Sequence, residues 1–448
     1  MAQISQQQAS RWLTWRPDKT SRRLALVAAP VFILELVLAW TTKGTFDVEI
    51  WQSFADSVRR VGPIDIYNLP LEEAGPMVYN HAPLTGWWLV IVNGLASIGV
   101  PVGATVRTAT TVAHLLTSFL ILAILRPRVG ETWALRSAIA VALSPVLVII
   151  SGFHGNNDPS VALLTIASVW LLVDRRAPFL AGLAFAAAVS VKLIPVIALP
   201  LLLVAAWGVG RARTLLRLVL GGLTVVVLFW VPVLIWARDG FVTNVLGYDG
   251  SGFPRQWGFY QLGVSLEVPQ RLLWIYEGKG TYLVLALCAL VPAWAIRRQP
   301  ERAPAALGLS MAMFLFLTPA WATQYGSYPA ATIFLVEFWP ALITTVVTGL
   351  IYVTLYIWWG GDVRTLTPPQ YKLLFFAWAS LVPVVVAGLR SFLWPRLPWP
   401  RWLQIDIGES SGTSGSTESG ARTSGSGADP SGSGARAVRA KGTEDTAR

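Results

Sequence analysis

The sequence holds one cysteine, three histidines and only 13% charged side chains in 448 residues, and each shortage excludes something. A lone cysteine, Cys288, permits no internal disulfide. Three histidines, with no His-Glu-x-x-His motif and no cysteine cluster, argue against a His- or Cys-based metal site. No glycine-rich loop runs into Lys-Ser or Lys-Thr, so a nucleotide-driven mechanism on the cytoplasmic side has no support. No short cleavable signal precedes the first apolar run: residues 1–23 are polar and basic, a cytoplasmic N-terminus, and Leu24–Thr42 reads as a retained first span. No internal repeat stands out.

What is present points to a membrane. Hydrophobic residues make up 54% of the chain and tryptophan occurs 22 times, a composition foreign to a soluble enzyme. The net charge of +11 would suit a nucleic-acid binder. The basic residues, however, stand in short clusters at the ends of apolar runs, where they orient helices in a bilayer; no nucleic-acid partner is expected. At roughly 20 apolar residues per span, spans fall near 24–42, 104–125, 134–152, 158–173, 178–192, 193–208, 214–237, 281–296 and 304–320, with two or three more between 329 and 394. The expected fold is an all-α integral membrane bundle of about 11–12 transmembrane helices.

The run from Pro83 to Val100 decides the topology. It is short, opens with proline and contains Gly86, Asn93, Gly94 and Ser97, so it reads as a re-entrant or interfacial helix. Arg126/Arg128, Arg175/Arg176, Arg211/Arg213/Arg217 and Arg297/Arg298/Arg302 then all fall on the cytoplasmic side with Arg22/Arg23. Residues 43–103 become one outer-face region. His154–Asp158, Lys192, the loop 238–280 and Ala322–Tyr325 converge on that same, non-cytoplasmic face. The polytopic membrane domain is thus 24–402. Residues 403–448, rich in Gly, Ser and Thr, are expected to form a disordered tail.

Several polar residues in these outer segments are candidates for chemistry. Val48–Val61 has the spacing of an amphipathic helix, with Ile50, Trp51, Phe54, Val58 and Val61 on its apolar face. Asp47 and Glu49 precede or open it. In an extended segment they share a face and a proton; at a helix start they complement the dipole. The stretch closes with His81. His154, Asn156, Asn157 and Asp158 lie where one span ends, an edge suited to sugar or phosphate, and Asp158 before Pro159 also suits a helix N-cap. Lys192 stands among more than twenty apolar residues, which costs several kcal/mol (about 2.5–3.5 on insertion scales) unless it is paired or reaches water; an anionic lipid phosphate is the functional partner. The loop 238–280 offers Arg255 among aromatics that stack on sugar rings, either as a lid or as an interfacial belt. Glu35 reads as a packing contact and His114 as a satisfied core residue.

The order of these motifs carries a resemblance. An acidic start of the first outer loop, an aromatic amphipathic helix and Tyr-x-x-x-Pro-Leu-Thr come first. A span ending Ser-Pro…Gly-x-Asn follows, then Ala-Gly…Val-Lys-Leu-x-Pro, and later Thr-Gln-Tyr. The sequence resembles the GT-C superfamily of membrane glycosyltransferases over roughly 45–205 and 315–335. Within it the chain is most similar to polyprenol- or dolichol-phosphate-mannose-dependent mannosyltransferases, including the catalytic subunits of GPI mannosyltransferases. The resemblance implies transfer of a sugar, with inversion, from a polyprenyl-phosphate-linked donor to a lipid or glycan acceptor. Asp47 matches the family's first-loop aspartate, the base or acceptor-orienting group. Glu49 replaces a second aspartate, which leaves a divalent-metal requirement open; no other cofactor is implied. Lys192 matches the lysine that contacts donor phosphate, with His81, His154 or Arg255 as further cations. Asn156 and Asp158 match a more variable polar loop, and Gln324 and Tyr325 match a donor-side Gln-Tyr. A transporter or lipid flippase with an outward polar cavity is the alternative, but the polar residues gather at one face without a two-fold pattern.

Overall fold

The computed structural model describes residues 18–248, 257–319, 321–359 and 368–393; Arg255 and the 403–448 tail lie outside the described residues. Among the described residues every regular element is helical. Helix α1 (Lys19–Thr41) begins where the Asp18 carboxylate accepts from the Ser21 N–H at 2.8 Å, and ends where the Thr41 and Thr42 hydroxyls turn back onto Val37 O and Leu38 O. Its 23 residues reach about 35 Å, enough for a hydrocarbon core of about 30 Å.

Helix α2 (Phe46–Asp65) is the expected amphipathic helix, capped by Thr45 and bent at Gly62-Pro63, where φ of Gly62 is +88°. It buries Trp51, Phe54 and Val58 in a satellite core with Tyr67, Tyr79 and Phe241. Helix α3 (Pro83–Ala96) has 14 residues and so covers only about 21 Å, too short to cross unaided. It is fastened to α2 by Asn93 Nδ2 donating to Ala55 O at 2.7 Å. Its first turn reaches the end of a later helix through Thr85 Oγ1, which donates to Val191 O at 3.0 Å.

Helix α4 (Val102–Ala142) is broken at Gly130, and a π-helical turn, Ile149–His154, carries the chain onward. Helices α5 (Asp158–Val173) and α6 (Pro178–Val191) form a hairpin. Helix α7 (Leu199–Val225) is broken at Gly210 and Arg211 and prolonged to Trp236. Helices α8 (Lys279–Ala295), α9 (Ala303–Leu317), α10 (Phe338–Trp359), α11 (Pro368–Ala379) and α12 (Val382–Leu393) complete the bundle. Among the described residues five helical stretches are long and apolar enough to cross a bilayer, or six if the bent pair Gln270–Glu277 and Lys279–Ala295 counts as one. Two of the five, of 53 and 43 residues, have the length of two crossings each. Their breaks fall in the gaps that the sequence places between 104–125 and 134–152, and between 193–208 and 214–237.

The lipid-facing surface is visible as exposed apolar side chains, among them Leu26, Ile33, Leu223, Val227 and Ile235. Inside, helices approach through small residues. A Cβ on Gly182 of α6 would sit 2.0 Å from Leu218 O of α7, and one on Gly221 2.0 Å from Phe179 O, so the crossing needs both glycines. Glu35 of α1 meets His114 Nδ1 at 2.6 Å, and His114 Nε2 lies 2.9 Å from Val141 O. Both residues are therefore the interior packing contacts that their settings suggest.

Candidate active site

The site forms where the start of α2, the turn before α5, the end of α6 and helix α10 meet. Asp47 sits in the first turn of α2. Its Oδ2 accepts from His154 Nε2 at 3.0 Å and from Asn156 Nδ2 at 2.8 Å. Among the described residues no hydrogen bond engages Oδ1, and the side chain keeps 27% of its surface exposed. The loop that brings the two donors is clamped to α2. Thr45 Oγ1 donates to His154 O at 2.8 Å and Trp51 Nε1 to Gly155 O at 2.6 Å. Gly155 has φ +86°, and a Cβ there would stand 2.6 Å from Val48 Cγ2, so only glycine fits this contact. Arg107, buried in α4, donates to Leu38 O, Thr42 O and Thr42 Oγ1 and so fixes the link from α1 into α2.

Burial by itself raises the Asp47 carboxyl. The charge that His154 carries when protonated, the hydrogen bonds from His154 and Asn156, and the Lys192 charge outweigh burial and lower it to about 2. It is therefore a carboxylate at any physiological pH.

Glu49 does not join it. The extended geometry that would align the two acids is not adopted: both lie on a helix, where two residues are about 200° apart around the axis. Glu49 is exposed. Glu49→Gln should leave sugar transfer within about twofold of wild type, as for surface substitutions in general; a turnover assay on purified protein checks this.

Asp158 and Lys192 form the second half of the site. Lys192 lies just past the last turn of α6 with extended backbone, and its Nζ donates to Asp158 Oδ2 at 2.8 Å. Tyr328 Oη donates to the other carboxylate oxygen at 2.5 Å. Asp158 is 0% exposed against 16% for the lysine, and both its oxygens are engaged. This corrects two expectations. Asp158 is not the cap of α5, since Asn157 holds that position and makes no side-chain cap bond. Nor does it present an oxygen to substrate; it is the buried counter-ion of Lys192. Lys192 is thus paired with protein, and among the described residues no other hydrogen bond engages its Nζ. Its Nζ also lies 5.3 Å from the centroid of the Tyr325 ring. Gln324, on the same turn, is partly buried and makes no hydrogen bond among the described residues.

His81 stacks on Trp51, with ring centroids 4.7 Å apart, and Tyr67 Oη donates to its carbonyl at 2.8 Å. Burial, followed by the nearby Lys192 charge, pushes its imidazole down to about 3. Burial thus works against the expected cationic role for His81. Between pH 6.5 and 3 the unfolded chain binds a proton at this position that the folded chain refuses, so stability is lost as pH falls. Asp47 contributes in the same direction only below 3.8. The melting temperature in detergent should drop from pH 6.5 to 4, and His81→Phe should flatten that slope.

Sequence reasoning does not single out Trp51, Tyr328 or Tyr356 as residues of this constellation. Their only signal is a polar atom on an apolar helix face, which a membrane-interface aromatic also carries. Among the described residues no three His, Cys, Asp or Glu side chains gather as a metal-ligand set.

Fold and site together define a multi-pass integral membrane protein with a fixed carboxylate and a paired lysine in one polar constellation. The family model for Glycosyltransferase family 87 matches residues 81–319, more than half of the chain. The chain belongs to glycosyltransferase family 87, and is an enzyme that transfers sugars. Asp47 precedes the matched stretch and Tyr356 follows it. Curated proteins yield no match. Among solved structures, ArnT from Cupriavidus metallidurans bound to undecaprenyl phosphate is similar at 14% identity and a TM-score of 0.46, over 82% of this chain and 76% of that one. The Archaeoglobus fulgidus oligosaccharyltransferase complex with Zn and sulfate is similar at 13% identity and a TM-score of 0.39, over 81% of this chain and 52% of that one.

Proposed function

We propose that this enzyme moves a hexose, mannose before others, from a polyprenyl-phosphate donor to an acceptor hydroxyl at the non-cytoplasmic face of the membrane, with inversion. The observation that carries the reading is the division of labour at Asp47. One carboxylate oxygen is tied by two donors, and the other, with no hydrogen bond among the described residues, is the one to take a proton. The acceptor hydroxyl gives its proton to Oδ1 as its oxygen bonds to the anomeric carbon. The bond from that carbon to the phosphate oxygen breaks, and the electron pair leaves with the lipid phosphate. Lys192, held by Asp158 yet partly exposed, stabilises the departing anion with its remaining N–H groups. Neither step calls on a cofactor. The resemblance to the polyprenol-phosphate-mannose enzymes supports the lipid donor and the sugar, and the acceptor is a membrane lipid or glycan.

The test is turnover in nanodiscs with polyprenyl-phosphate-[³H]mannose, the glucosyl and arabinosyl analogues, and extracted membrane lipids as acceptors. Label should pass to an acceptor, fastest from the mannosyl donor, with release of polyprenyl phosphate. No transfer from any of the three would overturn the reading. The side of the membrane has its own check, because native Cys288 is fully buried. Cysteines placed at the exposed Ser97 and Arg176 should react with an impermeant maleimide from opposite sides, Ser97 from outside the cytoplasm. Reaction from one side would refute the orientation.

A further inference from the structure

The hydrogen bonds that fix Asp47 continue beyond it. On the far side of His154, Nδ1 lies 2.5 Å from Tyr356 Oη on α10, and Tyr356 Oη in turn lies 3.2 Å from Thr323 Oγ1. One turn earlier on the same helix, Tyr352 Oη donates to Thr323 O at 2.6 Å and steadies that end of the network. His154 and Tyr356 are both buried, and the tyrosine ring stands edge-on to Phe153 and to the imidazole itself. The phenol is therefore held where water does not compete for it.

A neutral imidazole has one N–H and one lone pair, and the partner of each nitrogen decides which is which. Asp47 Oδ2 can only accept, so the contact to Nε2 requires the hydrogen on Nε2. In the neutral ring Nδ1 then presents its lone pair, and a group at 2.5 Å must donate; the Tyr356 O–H does so. Without that hydroxyl the hydrogen is free to reside on Nδ1. In that tautomer the Nε2 lone pair would face a carboxylate lone pair, and Asn156 alone would hold Asp47.

We infer that Tyr356 is a positioning residue for sugar transfer: its hydroxyl, donating to His154 Nδ1, holds the imidazole in the Nε2–H form that pins Asp47. The inference rests on Asp47 being the base, and it places a determinant of catalysis on a helix outside the stretch that the family model matches. Tyr356 touches no substrate, and Lys192 is untouched by its loss. Tyr356→Phe should therefore lower kcat by roughly tenfold or more, in line with the loss of a supporting partner, and leave KM for the lipid donor unchanged.

The chain has only three histidines, His81, His114 and His154, which makes the tautomer directly readable. Full-length protein labelled with [¹⁵N]histidine in micelles at pH 8 should give, for His154, a protonated Nε2 and an unprotonated, hydrogen-bonded Nδ1, assigned by their loss in His154→Gln. In Tyr356→Phe the His154 signals should move toward the Nδ1–H form while those of His114 stay in place. A wild-type His154 that is Nδ1–H or doubly protonated overturns the inference, and this measurement stands even where the variant does not fold. An unchanged Nε2–H signature in Tyr356→Phe overturns it as well, as does a tautomer change with no change in kcat while Asp47→Asn is inactive. Failure of the function reading looks different: the tautomer changes as stated, yet neither Asp47→Asn nor Tyr356→Phe alters transfer.

Discussion

Asp47→Asn should abolish sugar transfer, by roughly a hundredfold or more, while the lipid-phosphate donor still binds. The substitution keeps the shape of the side chain, and its amide oxygen can still accept from His154 Nε2 and Asn156 Nδ2. What it removes is the basic oxygen at Oδ1. Donor binding survives because the anion is assigned to Lys192, just past the end of a different helix. The check is single-turnover transfer alongside binding of a radiolabelled donor by the same preparation. Near-normal transfer would mean that the base lies elsewhere. With Glu49 exposed on another face of α2, no neighbouring acid could take over.

Lys192→Met has the second large effect, and it should appear in two measurements at once. Donor binding should weaken, since the charge-assisted contact to phosphate is gone. Stability should fall too, by about 3–5 kcal/mol, because Asp158 would be left as a buried carboxylate with only the Tyr328 hydroxyl against it. Adding Asp158→Asn should restore most of the melting temperature and none of the donor affinity. That separation is the informative result. A double variant that regained donor binding would show that Lys192 matters to the fold alone.

How much of this was legible from residues alone follows the range of the interactions involved. Span positions and the breaks near Gly130 and Gly210 rest on local apolar runs and local backbone chemistry, so composition and proline-glycine placement reveal them. The amphipathic face of α2 is equally local, and Trp51, Phe54 and Val58 are buried where helical spacing puts them. Asp47 and Lys192 were readable because a charge among apolar residues demands a partner. Which partner is a tertiary matter. Nothing near Lys192 in sequence indicates Asp158, 34 residues earlier, and the capping preference of aspartate before proline suggested a different role for it. The relation of Asp47 to Glu49 turned on helix against extended backbone at one residue, a boundary that periodicity resolves poorly. Tyr356 lies 202 residues after His154. An aromatic on an apolar helix announces no such contact.

The hairpin of α5 and α6 has a consequence for how the protein is made. Asp158 opens one arm and Lys192 follows the end of the other, so the two charges meet at the hairpin's open end. A lone lysine leaving the translocon beside lipid would resist entering the bilayer. Here the opposite charge has emerged 34 residues ahead of it, on the adjoining arm. The two arms can therefore partition into the lipid together as an electrically neutral unit, before the helix bearing Tyr328 has been synthesised. The Asp158–Lys192 ion pair would thus first serve as the entry permit of its own helices.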